Sequence, residues 1–162
     1  MSARPLSRDA QPAAVATLEA MREGDLDAVM QIEQLSLRLP WSRQVFLEEL
    51  SRPWAFLDVV RAGGSGRRVL AFCNYWRVAD EVHILKVATH PDARRFGFGS
   101  RLLSHIVDFA RAGSCKLVTL EVRRSNEAAQ RLYRRFGFRA VGIRPNYYAD
   151  DNEDALVMML DI

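Results

Sequence analysis

The chain has 162 residues, of which 49% are hydrophobic and 27% charged; this fits one globular domain with a real core and excludes wholesale disorder. A formal net charge of +3, spread along the chain, suits an anionic ligand or a ribosome-associated partner and does not require nucleic acid. No apolar run approaches the roughly 20 residues of a membrane span. Cys73, Cys115, His83, His90 and His105 show no metal-ligand spacing, so no metal is expected, and the cysteines read as reduced packing residues in a cytoplasmic setting.

Residues 1–16, rich in Pro, Ala, Ser and Arg, read as a flexible tail and lack the apolar core of a secretory signal; the domain is expected over 17–162. "TLEAM" reads as a short strand. Asp25 is placed to cap a helix carrying Leu26, Val29, Met30 and Ile32 or Glu33. Pro40 breaks that helix, because the residue before a proline avoids helical geometry, and Ser42 caps a second helix with Val45, Phe46 and Leu50 inward. "AFLDVVRA" and "RRVLAFCNYWRV" flank "GGSG" as a hairpin, and "DEVHILKVATH" follows, so strands two to four are expected to form an antiparallel meander.

From Ser100 onward Leu102, Leu103, Ile106, Val107 and Ala110 recur at spacings of three and four, the period of a helix with one buried face, which ends near Gly113. "CKLVTLEVRRS" is a strand. "NEAAQRLYRRFG" is a helix, with Asn126 near its N-cap and Gly137 at its C′ position. "FRAVGIRP" and "DALVMMLDI" are two final strands around the polar loop "NYYADDNE". The order βααβββαβαββ describes one α/β domain around a mixed, mostly antiparallel sheet flanked by helices.

"RRFGFGS" lies between a strand and a helix. Free N–H groups at a helix start, with the helix dipole, attract an anion such as phosphate, and glycines let the backbone approach it closely. Strand, G-x-G-x-x and helix also describe a dinucleotide site, with Glu121 as its ribose-binding acid. Against that, Leu102 fills the third glycine position, Glu121 lies in mid-strand, and about 40 residues after it are too few for a doubly wound sheet.

The chain resembles the GNAT superfamily of acetyl-CoA-dependent N-acetyltransferases. That family's cofactor loop, Q/R-x-x-G-x-G/A, is matched by Arg94-Arg95-Phe96-Gly97-Phe98-Gly99. "LKVATHP" looks like its splayed strand, and "LEVRRSNEAAQRLYRRFGF" is similar to its second half. The resemblance covers residue 17 to the C-terminus and implies the GNAT (acyl-CoA N-acyltransferase) fold. It also implies cofactor contacts at Val87, Ala88 and Thr89, along Arg94, Arg95, Gly97, Phe98, Gly99 and Ser100, and at Asn126. Within the family, "PWS", "RPNYY" and "EDALVMMLDI" resemble the ribosomal-protein alanine N-acetyltransferases (RimI), which acetylate a small-subunit ribosomal protein. The implied partner is therefore a protein N-terminus, with no direct nucleic acid and no membrane. Lys86 departs from the small or polar residue, commonly asparagine, of similar chains.

An α-amine with a pKa of about 8 is mostly protonated at neutral pH and needs a base before it can attack a thioester. Glu121 is the candidate base, with partial burial expected to raise its pKa, and Tyr133 is the candidate acid for the departing thiolate. Read alone, a strand glutamate is ordinarily a solvated-face residue, a helical tyrosine is more often core, and Asn126 is sufficiently explained as an N-cap. The resemblance lifts these three above those readings. Arg131, Arg134 and Arg135 read as an exposed helix face, and Asp150, Asp151, Glu153 and Asp154 would suit a basic substrate terminus.

Overall fold

A computed structural model describes residues 16–64 and 67–162. The expected tail therefore lies outside the described residues except for Ala16, which is buried and accepts a 2.7 Å hydrogen bond from Arg101 at its carbonyl. The element order is the expected one: β1 (Thr17–Ala20), α1 (Leu26–Ser36), α2 (Arg43–Ser51), β2 (Ala55–Arg61), β3 (Val69–Val78), β4 (Glu81–Thr89), α3 (Phe98–Ala112), β5 (Leu117–Arg123), α4 (Glu127–Arg135), β6 (Arg139–Arg144) and β7 (Ala155–Asp161). The strands form one seven-stranded sheet in the order β1-β2-β3-β4-β5-β7-β6. It is mixed: β1–β2, β5–β7 and β6–β7 pair antiparallel, and β4–β5 pair parallel.

Local chemistry accounts for most of the helix ends. Ser42 Oγ accepts the Val45 amide at the start of α2, and Asn126 Oδ1 accepts the Ala129 amide at the start of α4. Gly137, at φ +95°, then closes α4: its amide donates to the Arg134 carbonyl, and that of Phe138 to Tyr133, which satisfies two orphan acceptors. Asp25 departs from its expected part. Its side chain does not cap α1; it accepts the Arg22 amide at 2.9 Å and pairs with Arg61 at 2.8 Å. A buried guanidinium is the stronger partner for a carboxylate than a helix amide.

The chain divides into two compact units, one comprising residues up to Asn74 with Lys86–Ser104, the other Tyr75–Leu85 with His105–Ile162. In the first, Leu26, Val29 and Ile32 of α1 meet Phe46 of α2 and Leu57, Val59 and Phe72 of the sheet. The rings of Trp41, Phe46 and Phe72 follow one another at 5.5 and 5.8 Å. An ion pair is set beside this apolar layer. Glu33, fully buried, accepts Lys86 Nζ at 2.6 Å and the Trp41 amide at 2.8 Å on Oε2. The ammonium also lies 4.1 Å from the centroid of a Trp41 ring. Burial pulls the Lys86 pKa down, and Glu33 opposes that pull.

In the second unit Val118, Leu120 and Val122 of β5 point into the core with Ala155 and Met158 of β7, and Tyr75 sets its ring edge-on to Phe109 at 5.2 Å. Arg123 gathers the β6–β7 loop: it takes both oxygens of Asp150 at 2.9 and 3.0 Å, Asp151 at 3.1 Å and Glu153 at 3.2 Å, and stacks 3.9 Å from the Tyr148 ring. The acidic cluster expected to meet a basic substrate is thus engaged internally, with Asp154 on Arg124 as well. Cys73 and Cys115 are free and buried, and burial pushes the Cys73 thiol well up, away from nucleophile chemistry.

Replacing Lys86 by Met strands the Glu33 carboxylate in the core, and the expected loss is about 3 kcal/mol of unfolding free energy by urea titration. The double variant Lys86→Met, Glu33→Gln should recover part of it. An unchanged urea midpoint in the single variant would show that the pair contributes nothing.

Candidate active site

The parallel ladder between β4 and β5 runs from Glu81–Leu117 to Ile84–Leu120, and goes no further among the described residues although β4 continues to Thr89. Backbone groups of Val87, Ala88 and Thr89 therefore have no ladder to β5, the arrangement expected of a strand that lends its edge to a ligand. Beyond it, the His90 amide donates to the Leu70 carbonyl at 2.8 Å. Its ring Nδ1 accepts the Asp92 amide at 3.1 Å and lies 3.1 Å from the Arg68 guanidinium. Burial and Arg68 hold the His90 pKa below its ordinary value, so the ring stays neutral and fixes the one-turn helix Pro91–Ala93.

Arg94 and Arg95 follow, both exposed, and Arg95 (φ +68°) and Gly97 (φ +81°) bend the chain into α3. The helix starts at Phe98, two residues earlier than the apolar period suggests. Its first ladder bond runs from the Arg101 amide to the Gly97 carbonyl at 3.0 Å, so the amides of Phe98, Gly99 and Ser100 precede the ladder. Phe98 is buried and anchors the turn, while nothing lies within 4 Å of where a Cβ on Gly97 would stand. Helix-start amides, an open approach at Gly97 and two exposed guanidiniums form a donor set that fits a diphosphate.

Glu121, in the second unit, sits on the sheet face opposite Val118, Leu120 and Val122, with its side chain only 10% exposed. Oε2 meets His83 Nε2 at 2.6 Å, and Oε1 lies 3.3 Å from Arg144 Nε. The expected rise in its pKa is overturned. Burial pushes upward, but the His83 hydrogen bond, which is the largest influence, and the charges of His83 and Arg144 hold the carboxyl below its ordinary value. Tyr133 is buried beside Phe138 at 5.8 Å between ring centroids, and burial pushes its phenol up to about 12, so it stays protonated. Asn126 is exposed and caps α4. The cofactor candidates Val87 to Ser100 fall in the first unit; Glu121, Asn126 and Tyr133 fall in the second.

The model of the acetyltransferase (GNAT) family matches residues 26–138. The chain belongs to the GNAT family. It is 36% identical to the putative ribosomal protein bS18-alanine N-acetyltransferase of Bacillus subtilis, covering 91% of this chain and 96% of that protein. It is 34% identical to the ribosomal protein bS18-alanine N-acetyltransferase of Escherichia coli, covering 90% and 97%. The crystal structure of the ribosomal-protein-S18-alanine N-acetyltransferase from Escherichia coli superposes with a TM-score of 0.81 at 34% identity, covering 91% of this chain and 94% of that one.

Within this GNAT chain, His83 and Arg144 are the residues that sequence reasoning missed. The alternation of "EVHIL" gave a signal, because buried Val82 and Ile84 leave His83 on the Glu121 face. What it lacked was the parallel pairing that sets His83 opposite Thr119, with Glu121 two residues along.

A carboxylate with a depressed pKa stabilises the fold above its unfolded value, 4.5, and loses that contribution as pH falls through the lower folded value. The stability difference between the wild type and Glu121→Gln should accordingly be larger at neutral pH than at about pH 3 in denaturant titrations. A difference that is constant with pH would remove Glu121 from the ionised pair.

Proposed function

We propose that the chain transfers the acetyl group of acetyl-CoA to the N-terminal α-amine of a protein, with the alanine terminus of a small-subunit ribosomal protein as the leading substrate. The observation that carries this reading is identity of 34–36% over nine-tenths of the chain to proteins named for that reaction. A ribosomal substrate sets the reaction in the cytoplasm, and no helix among the described residues is long and apolar enough to cross a membrane.

Acetyl-CoA would supply an activated acetyl thioester. The helix-start amides of Phe98, Gly99 and Ser100, with Arg94 and Arg95, would hold its diphosphate, and Gly97 would allow close backbone approach. The edge of Val87, Ala88 and Thr89 would bind the extended arm by strand-like hydrogen bonds, one of those amides polarising the reacting carbonyl. Asn126, already engaged as a cap, would add a contact from its exposed side chain. Glu121 serves as base, directly or through a water, and Tyr133, protonated at every working pH, returns a proton to sulfur. No protein nucleophile takes part.

Thiol release should be measured with a free Ala-Arg peptide and with a blocked peptide carrying an internal lysine. Turnover on the free alanine alone is expected; turnover only on the blocked peptide would move the chain to lysine acetylation, and silence on both would reopen the readings of a small-amine acetyltransferase and of a non-catalytic acyl-CoA-binding module. Glu121→Gln should lower turnover by about 10²–10⁴ with coenzyme A affinity spared; wild-type turnover would take Glu121 out of the reaction. Gly97→Val places a β-branched side chain at positive φ facing the approach and should weaken coenzyme A binding sharply by calorimetry. Unchanged affinity would refute that placement.

A further inference from the structure

Glu33 is fully buried, yet the two donors that reach it converge on one oxygen. Lys86 Nζ at 2.6 Å and the Trp41 amide at 2.8 Å share Oε2, while Oε1 is buried with no hydrogen-bond partner among the described residues. An unpaired carboxylate oxygen in the core costs free energy, as does removing both charges from water. Neutral side chains of similar volume generally replace such a pair with little loss. Stability alone is therefore a poor account of the pair, and a buried polar atom left unpaired calls for a reason in what the arrangement orients.

What it orients is the end of β4. The ammonium is fixed in distance by Glu33 and in direction by the Trp41 ring, whose centroid lies 4.1 Å away, and the Trp41 backbone is tied to the same carboxylate oxygen. A side chain held at its tip by two partners leaves its own backbone few alternative positions. It must be long to reach both, which accounts for a lysine where similar chains carry a small or polar residue. Val87, Ala88 and Thr89 come next, and His90 after them is anchored in turn. Its amide donates to the Leu70 carbonyl at 2.8 Å, and its Nδ1 accepts the Asp92 amide at 3.1 Å. The edge given above to the arm of acetyl-CoA is thus bracketed by Lys86 and His90, and all of these residues belong to the first compact unit. Main-chain hydrogen bonds weaken steeply away from their preferred distance and angle, so a ligand gains most from an edge that is already in place.

We propose that Lys86 is a positioning residue for the cofactor: locked to Glu33 and Trp41, it presets the Val87–Thr89 main chain for the pantetheine arm without itself touching acetyl-CoA. This deepens the acetyl-CoA reading above and rests on it. The cofactor is then divided in its dependence. Its arm relies on Lys86, and its diphosphate, assigned to the amides of Phe98, Gly99 and Ser100, does not.

The test is calorimetric binding of two ligands, coenzyme A and 3′-phosphoadenosine 5′-diphosphate, which is coenzyme A without its pantetheine arm. They are compared on the wild type and on the double variant Lys86→Met, Glu33→Gln, which strands no charge. A urea midpoint establishes that the variant is folded, and Lys86→Asn with Glu33→Gln replaces it if it is not. The expected result is a loss of about tenfold in coenzyme A affinity, the worth of about one net hydrogen bond, with affinity for the armless ligand unchanged. Coenzyme A affinity equal to that of the wild type would overturn the inference and leave the acetyl-CoA reading standing. A parallel loss for both ligands would also overturn it, because general loosening of the unit moves the phosphate site as much as the strand edge. A wild type that binds neither ligand would overturn the acetyl-CoA reading together with the inference.

Discussion

The parallel ladder between β4 and β5 holds for four residue pairs and stops at Ile84–Leu120 while both strands continue. Backbone amides and carbonyls are obligatory hydrogen-bonding groups, so a strand that leaves its neighbour must find water or a ligand for them. β5 keeps a full partner on its other edge, paired with β7 along its whole length from Leu117–Asp161 to Arg123–Ala155. Among the described residues the β4–β5 ladder comprises the four pairs from Glu81–Leu117 to Ile84–Leu120. The turn through Gly97 into α3 follows that interruption directly in sequence.

An interrupted strand needs something else to fix it, and here Lys86 contributes. Its ammonium is tied to Glu33 of α1 and set over Trp41, at the point where the ladder has just ended. Buried ion pairs add little net stability, because desolvation of both charges offsets their attraction, but they penalise every arrangement that separates them. The pair therefore constrains where α1 and the Trp41 segment meet β4 more than it strengthens the fold. The departure at Lys86, visible in the sequence as an isolated oddity, acquires its sense only with Glu33 beside it. Neither the helical period nor the position of Glu33 announced a buried acid, since a glutamate in an amphipathic helix is ordinarily outward.

Elements governed by neighbours in sequence were legible. Ser42, Asn126 and Gly137 act as the caps their residue types imply, and the α3 stripe from Leu102 to Ala110 is buried as its spacing requires. What depends on partners distant in the chain was not. Asp25 left its helix for Arg61, the acidic loop turned inward onto Arg123, and Glu121 is ionised by His83 and Arg144 where burial alone would have raised its pKa. In each case a carboxylate was read by its exposure, and the outcome was decided by the nearest cation or proton donor. Strand pairing behaves alike: alternation gives a face, while register gives a neighbour.

The same competition orders the acid and base groups. Burial leaves Tyr133 neutral, with its phenol pushed up to about 12, suited to giving a proton and unsuited to holding charge. Burial with partners leaves Glu121 charged, because the His83 hydrogen bond and the charges of His83 and Arg144 outweigh desolvation. His83, on the same sheet face, is the nearest of those partners, at 2.6 Å from Oε2. The same burial thus gives opposite charge states, and which one results follows from where each side chain finds its nearest partner.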